Sequence, residues 1–365
     1  MGRVLLAAGA LTMGATSSFA GGLERSAQSA AILFETGKYA EFSIGNVAPD
    51  VTGNLAGVFN SGNMLGSYTT FSLGYKQPLG DNLDLAVILD QPIGADVDYP
   101  TSATYPLAGT TAQLDSMAVT GLVRYKMPSN VSVFGGVRLE YVEGTVNIRT
   151  APPVGPIPVS YTLQTDRDYQ AGYIVGIAWE KPEIAARIAL TYNSAITHSL
   201  EMRESSTVTP SSVIRQDVEI PQSVNLEFQT GIAADTLLFG SVRWVDWTAF
   251  VIDPPIYNAV YPPRPLVSYN SDRVTYNLGI GRKFNESWSG AVLVSHEPSN
   301  GDITGNLGPT DGYTSVGLAA TYTYNNMKIT GGVRYIEIGG ATTTLGAQFK
   351  DNSGIGAGVR IAYSF

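Results

Sequence analysis

The sequence predicts an all-β protein, a transmembrane antiparallel β-barrel of about fourteen strands with a short N-terminal hatch inside it. Apolar residues alternate with small or polar residues at period two in segments that recur to the C-terminus. The last segment, DNSGIGAGVRIAYSF from Asp351 to Phe365, places Ile355, Val359 and Tyr363 on one face and glycines on the other. An apolar face toward lipid and a small or polar face toward a lumen are typical of a transmembrane barrel strand.

About fourteen segments show this alternation. They lie near 39–49, 67–78, 82–92, 112–127, 130–149, 160–180, 183–203, 212–232, 236–252, 269–284, 287–298, 312–325, 327–339 and 347–365. The connections alternate between tight turns and long loops, the long ones being 50–66, 93–111, 150–159, 204–211, 253–268 and 299–311. This alternation predicts periplasmic turns, external loops and an even number of strands.

The aromatic residues support this topology. The predicted strands place one group of them at the ends that the short turns join, where an aromatic girdle is expected. That group comprises Tyr125, Trp179, Trp288, Tyr322, Tyr324, Tyr363 and Phe365. The terminal Phe365 is also where we expect the outer-membrane assembly machinery to dock.

Three regions are predicted along the chain. Residues 1–20 read as a cleaved signal peptide, with Arg3 at its start, an apolar stretch and a small-x-small site ending at Ala20. Residues 21–38 are predicted to form the hatch, with Ser26 capping a short helix. Residues 39–365 form the barrel. A frayed terminus is the alternative for the second region, although exposed termini seldom carry Ile-Leu-Phe.

The composition excludes several functions. The formal charge is −9, which disfavours nucleic acid as a partner because nucleic-acid binding needs clustered Lys and Arg. Acidic residues near the loops either suit a surface that meets divalent cations, lipopolysaccharide and the outer-membrane lipid, or simply keep the protein soluble. The chain has no cysteine, which excludes disulfides, zinc-thiolate sites and cysteine nucleophiles. We expect no metal and no cofactor.

No catalytic site is predicted. The only histidines are His198 and His296, and in Ser295-His296-Glu297 neighbouring side chains point to opposite faces of a strand, so they cannot form a relay. We therefore expect a protein that is not an enzyme.

Candidate ligand-binding residues are apolar and lie in two places. The predicted external loop 253–267 is rich in proline, which stiffens it, and the predicted hatch carries an apolar stub. These apolar side chains either pack on neighbouring loops or bind a hydrophobic ligand. The candidates are Leu23, Ile32, Leu33, Phe34, Ile256, Tyr257, Val260, Tyr261 and Leu266.

The predicted lumen face mixes charge with glycine and alanine. Small residues there either leave room for a plug or a conduit, or merely let the strands coil. Arginines on this face either bind an anionic head group or pair with lumen glutamates such as Glu140 and Glu227. Arg138, Arg334 and Arg360 are the head-group candidates.

Several motifs resemble the FadL-type outer-membrane transporters of long-chain fatty acids and other hydrophobic compounds. The resemblance is diffuse and strongest in the second half of the chain. It is carried by Ser26–Ala30, Asp90–Gly94 through Tyr99, Ile220–Ser223, Gly231, Val245–Phe250, Asp272-Arg273, Leu278-Gly279 and Phe284–Trp288. One departure is that the family's hatch carries an Asn-Pro-Ala segment, where this chain reads AILFETG from Ala31 to Gly37.

The resemblance implies a fourteen-stranded barrel, plugged by the hatch, in a Gram-negative outer membrane. It implies passive transport of hydrophobic small molecules, such as long-chain fatty acids or similar lipidic or aromatic compounds. Substrate would be captured at external apolar loops and released through a kinked strand. We expect a monomer. The alternatives are a porin for hydrophilic solutes and a structural or adhesive barrel.

Overall fold

The computed structural model describes residues 23–152, 154, 157–261 and 264–365, and within them it forms a closed antiparallel β-barrel of fourteen strands. Each strand pairs with its neighbours along the chain, and the first also pairs with the last, from Tyr39 opposite Ser364 to Asp50 opposite Ser353. Closure leaves no free sheet edge. The predicted all-β barrel is therefore confirmed.

The strands are numbered β1 to β14 along the chain, and four of them consist of two segments. They are β1 Tyr39–Asp50, β2 Tyr68–Pro78, β3 Leu83–Asp90 and Gly94–Asp98, β4 Thr111–Lys126, β5 Val131–Thr150, β6 Val159–Thr165 and Asp168–Lys181, β7 Ala186–Asn193 and Ile196–Ser206, β8 Ser212–Ile220 and Ser223–Ala233, β9 Thr236–Val245, β10 Arg273–Lys283, β11 Trp288–Glu297, β12 Tyr313–Tyr324, β13 Met327–Ile338 and β14 Asn352–Ser364.

Period-two patterning places apolar side chains on the outside of the barrel. In β14, Ile355, Val359, Ile361 and Tyr363 are exposed, whereas Arg360 and the other alternate positions face inward. The predicted aromatic residues at the short-turn end are also exposed on the outer surface: Tyr125, Trp179, Trp288, Tyr322, Tyr324, Tyr363 and Phe365. An exposed apolar band that ends in aromatic residues is typical of a barrel surrounded by lipid.

The interruptions within strands were not predicted, because the sequence suggested continuous segments over 82–92, 160–180, 183–203 and 212–232. In β3 and β8 the break includes Pro92 and Pro221, each of which lacks the N–H that a ladder needs. In β6 it falls at residues 166–167 and in β7 at 194–195. Alternation continues on both sides of each break, which explains why periodicity alone missed them.

Two predicted strands are too long. The segment 236–252 ends as a barrel strand at Val245, because Trp247–Ala249 forms a 3-10 turn whose buried Trp247 packs on Phe250 and Tyr269. The segment 347–365 enters the barrel only at Asn352.

The long-loop end carries small elements that cover the barrel mouth. A five-stranded sheet comprises Gly53–Leu55, Phe59–Asn60, Ile303–Thr304, Ala341–Thr343 and Gln348–Phe349. A second pair joins Val251–Ile252 to Val267–Ser268, and between them lies the α-helix Pro255–Val260. None of the helices in the described part of the chain is long and apolar enough to cross a membrane.

The segment before β1 contacts inward-facing barrel residues. Its short helix is the 3-10 turn Ala31–Phe34, whose Ile32 and Leu33 are buried. The predicted cap was wrong: the Ser26 hydroxyl donates to Asp90 instead, and the Ser29 hydroxyl accepts the Ala31 N–H at 3.1 Å. The predicted signal peptide, residues 1–20, lies outside the described residues.

Candidate functional site

An apolar cavity occupies the half of the barrel nearest the long loops, and we call it the outer cavity. It opens to solvent, and its empty space, which includes solvent at the open side, is about 1440 Å³. Both the strands and the covering loops contribute to its wall, since their inward positions alternate with lipid-facing ones. The apolar residues of the wall include Leu23, Leu65, Leu114, Val146, Leu163, Leu200, Met202, Ile252, Leu266, Tyr269, Ile303 and Leu307.

The two arginines that line the outer cavity are both paired with carboxylates. Arg25 donates to Asp96 at 3.0 Å, and its guanidinium carbon lies 3.1 Å from the ring centre of Tyr68. Arg273 donates to Asp311 at 2.7 Å, and both side chains are buried. The cavity therefore presents apolar surface with its positive charges already neutralised.

Asp311 anchors the loop that holds Arg273 in this position. Burial alone would raise the pKa of Asp311, but hydrogen bonds from Ser299, Arg273 and the backbone N–H groups of Asn300 and Gly301 outweigh it and lower the pKa. Asp311 is thus a carboxylate at neutral pH, and the pair with Arg273 persists.

A second cavity, the inner cavity, lies further toward the short-turn end, and its empty space, which likewise includes open solvent, is also about 1440 Å³. Its wall is more polar. The charged residues that line it are Arg25, Glu35, Glu41, Asp90, Arg187, Glu227 and Arg360. Arg25 belongs to the walls of both cavities, so the two lie next to each other.

Residues 23–29 run along the boundary of the two cavities and are held by polar contacts to the barrel. Glu24 forms a buried ion pair with Arg243, whose Nε lies 2.6 Å from its Oε1. Asn225 donates to the carbonyl of Ala27 at 2.9 Å. Further side-chain contacts join Ser26 with Asp90, Gln28 with Arg138 and Ser29 with Glu227, and backbone hydrogen bonds join residues 23–26 to Pro92 and Gly94.

The barrel wall beside the inner cavity is interrupted between β2 and β3. Their ladder runs from Pro78 opposite Asp84 only to Leu73 opposite Leu89. Beyond it, the N–H of Phe71 donates to the side chain of Gln91 at 3.0 Å instead of to a backbone carbonyl. Thr70, Phe71, Leu73 and Gln91 all line the inner cavity, and Leu73 is exposed on the outer surface. The inner cavity therefore adjoins the outer surface at this interruption, which we call the β2–β3 opening.

The structure separates the predicted ligand-binding residues into three groups. Leu23 and Leu266 line the outer cavity. Ile32 lines the inner cavity. Leu33 and Phe34 pack in an apolar cluster near the short-turn end, where the ring of Phe34 contacts Phe134.

The four remaining candidates form a packed cap at the long-loop end. Ile256 is buried, and Tyr257 and Tyr261 contact the ring of Tyr161. The carboxylate of Glu204 accepts the N–H groups of Ile256 and Tyr257 at 3.1 and 3.2 Å. Burial, with Tyr261 adding to it, raises the pKa of Tyr257 to about 12. Together with Val260 these residues belong to the same apolar cluster as Leu266 but do not line the outer cavity.

The predicted head-group arginines lie apart from the outer cavity. Arg138 donates to Thr120 at 3.1 Å and to Gln28. Arg360 lines the inner cavity, 3.7 Å from Glu41. Arg334 lines a small separate pocket between glycines.

Several site residues were not predicted, among them Arg25, Asp96, Met202, Tyr269 and Gln91. Asp96 and Gln91 border a proline-interrupted strand, which is the one signal in the sequence that marks them. Met202 and Tyr269 read as ordinary strand residues, since only the closed barrel brings them to one cavity.

The comparisons with known proteins agree with this architecture. A family model described as outer membrane protein transport protein (OMPP1/FadL/TodX) matches residues 35–253, and the chain belongs to this family. No curated protein matches the sequence.

Solved structures share the fold at low identity. A Pseudomonas aeruginosa FadL homologue is 13% identical, with a TM-score of 0.76 over 92% of each chain. The Pseudomonas putida toluene transporter TodX is 12% identical, with a TM-score of 0.68 over 95% of this chain and 96% of that one. The Ralstonia pickettii toluene transporter TbuX is 12% identical, with a TM-score of 0.63 over 90% of each.

The family places the protein in the outer membrane of a Gram-negative bacterium, as predicted. The family is one of transport channels rather than enzymes. Barrels of this membrane have short periplasmic turns, so the outer cavity faces the cell exterior and the inner cavity the periplasmic side.

Proposed function

We propose that this protein passively transports uncharged hydrophobic small molecules across the outer membrane. The observation that carries the proposal is the outer cavity, whose wall is apolar and whose two arginines are each paired with a carboxylate. A hydrocarbon or alkyl-aromatic compound gains free energy by burial there. A fatty-acid carboxylate would have to displace Asp96 or Asp311 to find a cation.

Residues 21–38 act as the hatch in this proposal. The ion pair of Glu24 with Arg243 and the contacts of Ser26, Gln28 and Ser29 hold the segment at the boundary of the two cavities. Rearrangement of residues 23–29 would join the cavities, and substrate would leave through the β2–β3 opening. A porin would need a water-filled path instead, which this segment obstructs.

Uptake by cells tests the proposal. A Gram-negative host that lacks its own transporter of hydrophobic compounds is supplied with radiolabelled toluene, dodecanoic acid or glucose. Expression of this protein should accelerate toluene uptake at least tenfold, with a smaller effect on dodecanoic acid and none on glucose. Acceleration of glucose uptake alone would identify a porin and refute the proposal.

A further inference from the structure

The barrel wall has a second interruption, between β6 and β7. On the side of the short turns, the two strands pair from Lys181 opposite Ala186 to Ile174 opposite Asn193. On the side of the long loops, they pair from Thr165 opposite Met202 to Tyr161 opposite Ser206. Within the described residues, no ladder joins 168–172 to 196–200, and we call this stretch the β6–β7 seam.

An extra residue in each strand opens the seam. Inward positions normally recur every second residue. Here the inward residue after Thr165 is Asp168, and the one after Asn193 is Ile196. Each strand thus carries a bulge at one end of the seam, and bulges locally disrupt a ladder. The backbone bonds that bound the seam are Asp166 N–H to Glu201 at 3.2 Å and Ser194 N–H to Tyr173 at 3.0 Å.

Side chains rather than backbone close the seam. His198 is fully buried, its Nδ1 lies 3.1 Å from the Asp168 carboxylate, and its Nε2 has no partner in the described structure. Ile196 packs against the bare backbone of Gly172, where an added Cβ would lie 2.6 Å from Ile196 Cγ1. Rotation of such side chains opens a path without breaking a ladder, which makes this part of the wall easier to open than its neighbours.

The seam lies between the outer cavity and the lipid-facing surface. Leu200 within the seam and Thr165 at its upper edge both line the outer cavity. On the outer surface, the side chains of Tyr169 and Tyr173 are 66% and 53% exposed. Exposed tyrosines mark the membrane interface, so the seam opens at the outer leaflet, near the boundary of head groups and acyl chains.

From this geometry we propose that the β6–β7 seam is a second side port, through which uncharged hydrophobic molecules pass between the outer leaflet and the outer cavity. The pair of His198 and Asp168 acts as its latch. The carboxylate of Asp168 in the path disfavours anionic ligands. This port rests on the proposed function, because it supplies the same cavity, and it adds an entry from the membrane to the entry from the external loops.

Photolabelling of the full chain in phosphatidylcholine bilayers tests the port. The probe is a diazirine-substituted toluene, and labelled residues are identified by mass spectrometry with and without excess unlabelled toluene. Met202 reports on the outer cavity. Ile196 lines neither cavity and faces inward, so it reports on the seam.

The three outcomes are distinct. Labelling of both Met202 and Ile196, with competition by toluene, supports the port. Labelling of Met202 without Ile196 overturns the port and leaves the proposed function intact. Labelling of neither residue overturns both.

Variants of the latch sharpen the test. His198→Ala should raise labelling of Ile196 at least threefold relative to Met202, because it removes the partner of Asp168 across the seam and leaves, among the described residues, only the bond from Gln170 on the same strand. His296→Ala is the matched control, since the other histidine lies in β11 and bonds Thr314 at 2.9 Å. Equal Ile196 labelling in wild type, His198→Ala and His296→Ala would contradict the latch. Wild-type labelling decides the port itself even if a variant fails to fold.

Discussion

Arg25 donates a hydrogen bond to Asp96 at 3.0 Å, and this pair lies where the outer cavity meets the inner one. Arg25 belongs to the segment before β1, and Asp96 belongs to the interrupted strand β3 beside the β2–β3 opening. Asp96 therefore neutralises the charge of Arg25 in the outer cavity. The same hydrogen bond joins the N-terminal segment to the barrel wall near the proposed exit.

Replacing Asp96 should make the outer cavity bind anionic ligands more tightly. Asp96→Asn leaves Arg25 without its carboxylate, so a ligand carboxylate can take that place. We expect dodecanoate to bind at least fivefold more tightly, roughly 1 kcal/mol, with little change for dodecanol. Asp98→Asn is the control, because Asp98 is exposed on the same strand segment. Titration of dodecanoate and dodecanol against the wild type and the two variants measures these affinities. Equal dodecanoate affinity in all three proteins would argue against neutralisation of Arg25 by Asp96.

The ion pair of Glu24 with Arg243 should hold the hatch in place. Glu24→Ala leaves Arg243 buried without its carboxylate, which for a buried pair costs about 3–5 kcal/mol. We expect residues 23–29 to detach and single-channel conductance in planar bilayers to rise. Glu183→Ala, in the exposed 3-10 turn Pro182–Ile184, should leave conductance unchanged. Unaltered conductance in Glu24→Ala would mean that the segment does not obstruct the barrel.

Closing the β2–β3 opening should block release. The chain has no cysteine, so Phe71→Cys with Gln91→Cys introduces one pair across the opening, where the Phe71 backbone N–H bonds the side chain of Gln91. Cross-linking this pair with a short, reductively cleavable bismaleimide should lower toluene uptake at least fivefold, and reduction should restore it. Tyr75→Cys with Val87→Cys, which are opposed further along the intact ladder and do not line the inner cavity, is the control. Normal uptake through a cross-linked Phe71–Gln91 pair would place the exit elsewhere.

Two residues of the same external loop should differ in their effect on binding. Leu266 lines the outer cavity, whereas Val260 packs only within the cap. Leu266→Ser should weaken binding of an alkyl-aromatic probe about tenfold, roughly 1.4 kcal/mol, because buried apolar contact is lost. Val260→Ser should leave affinity within a factor of about two, roughly 0.4 kcal/mol. The opposite order of effects would indicate that the cap itself captures ligand.

Much of the fold could be predicted from alternation alone. The faces of β14 follow directly from period two, and the aromatic residues at the short-turn end follow from the strand positions. The interruptions could not be predicted in this way, because a bulge of one residue leaves alternation intact on both sides. His198 illustrates the consequence, since in a continuous strand it reads as an ordinary residue near an external end, and only the seam pairs it with Asp168.

The candidate site was less predictable for a related reason. Leu23 and Leu266 were predicted from apolar composition, and they line the outer cavity. The remainder of that loop packs on Tyr161 and Glu204, through contacts between residues that are 96 and 52 positions apart. Arg25 and Asp96 are likewise distant in sequence, and neither residue type alone distinguishes a cavity pair from a solvent-exposed charge.

If uncharged hydrophobic molecules occupy the outer cavity, anomalous diffraction from crystals soaked in 4-bromotoluene should locate them there. We expect a bromine peak inside the barrel, in contact with Leu23, Met202 and Leu266, which line that cavity. The peak should weaken in Leu266→Ser crystals. After soaking in 4-bromobenzoate, a bromine peak in the outer cavity should appear only in crystals of the Asp96→Asn variant. If wild-type crystals bind 4-bromotoluene elsewhere but show no bromine peak in the outer cavity, this cavity is not the binding site.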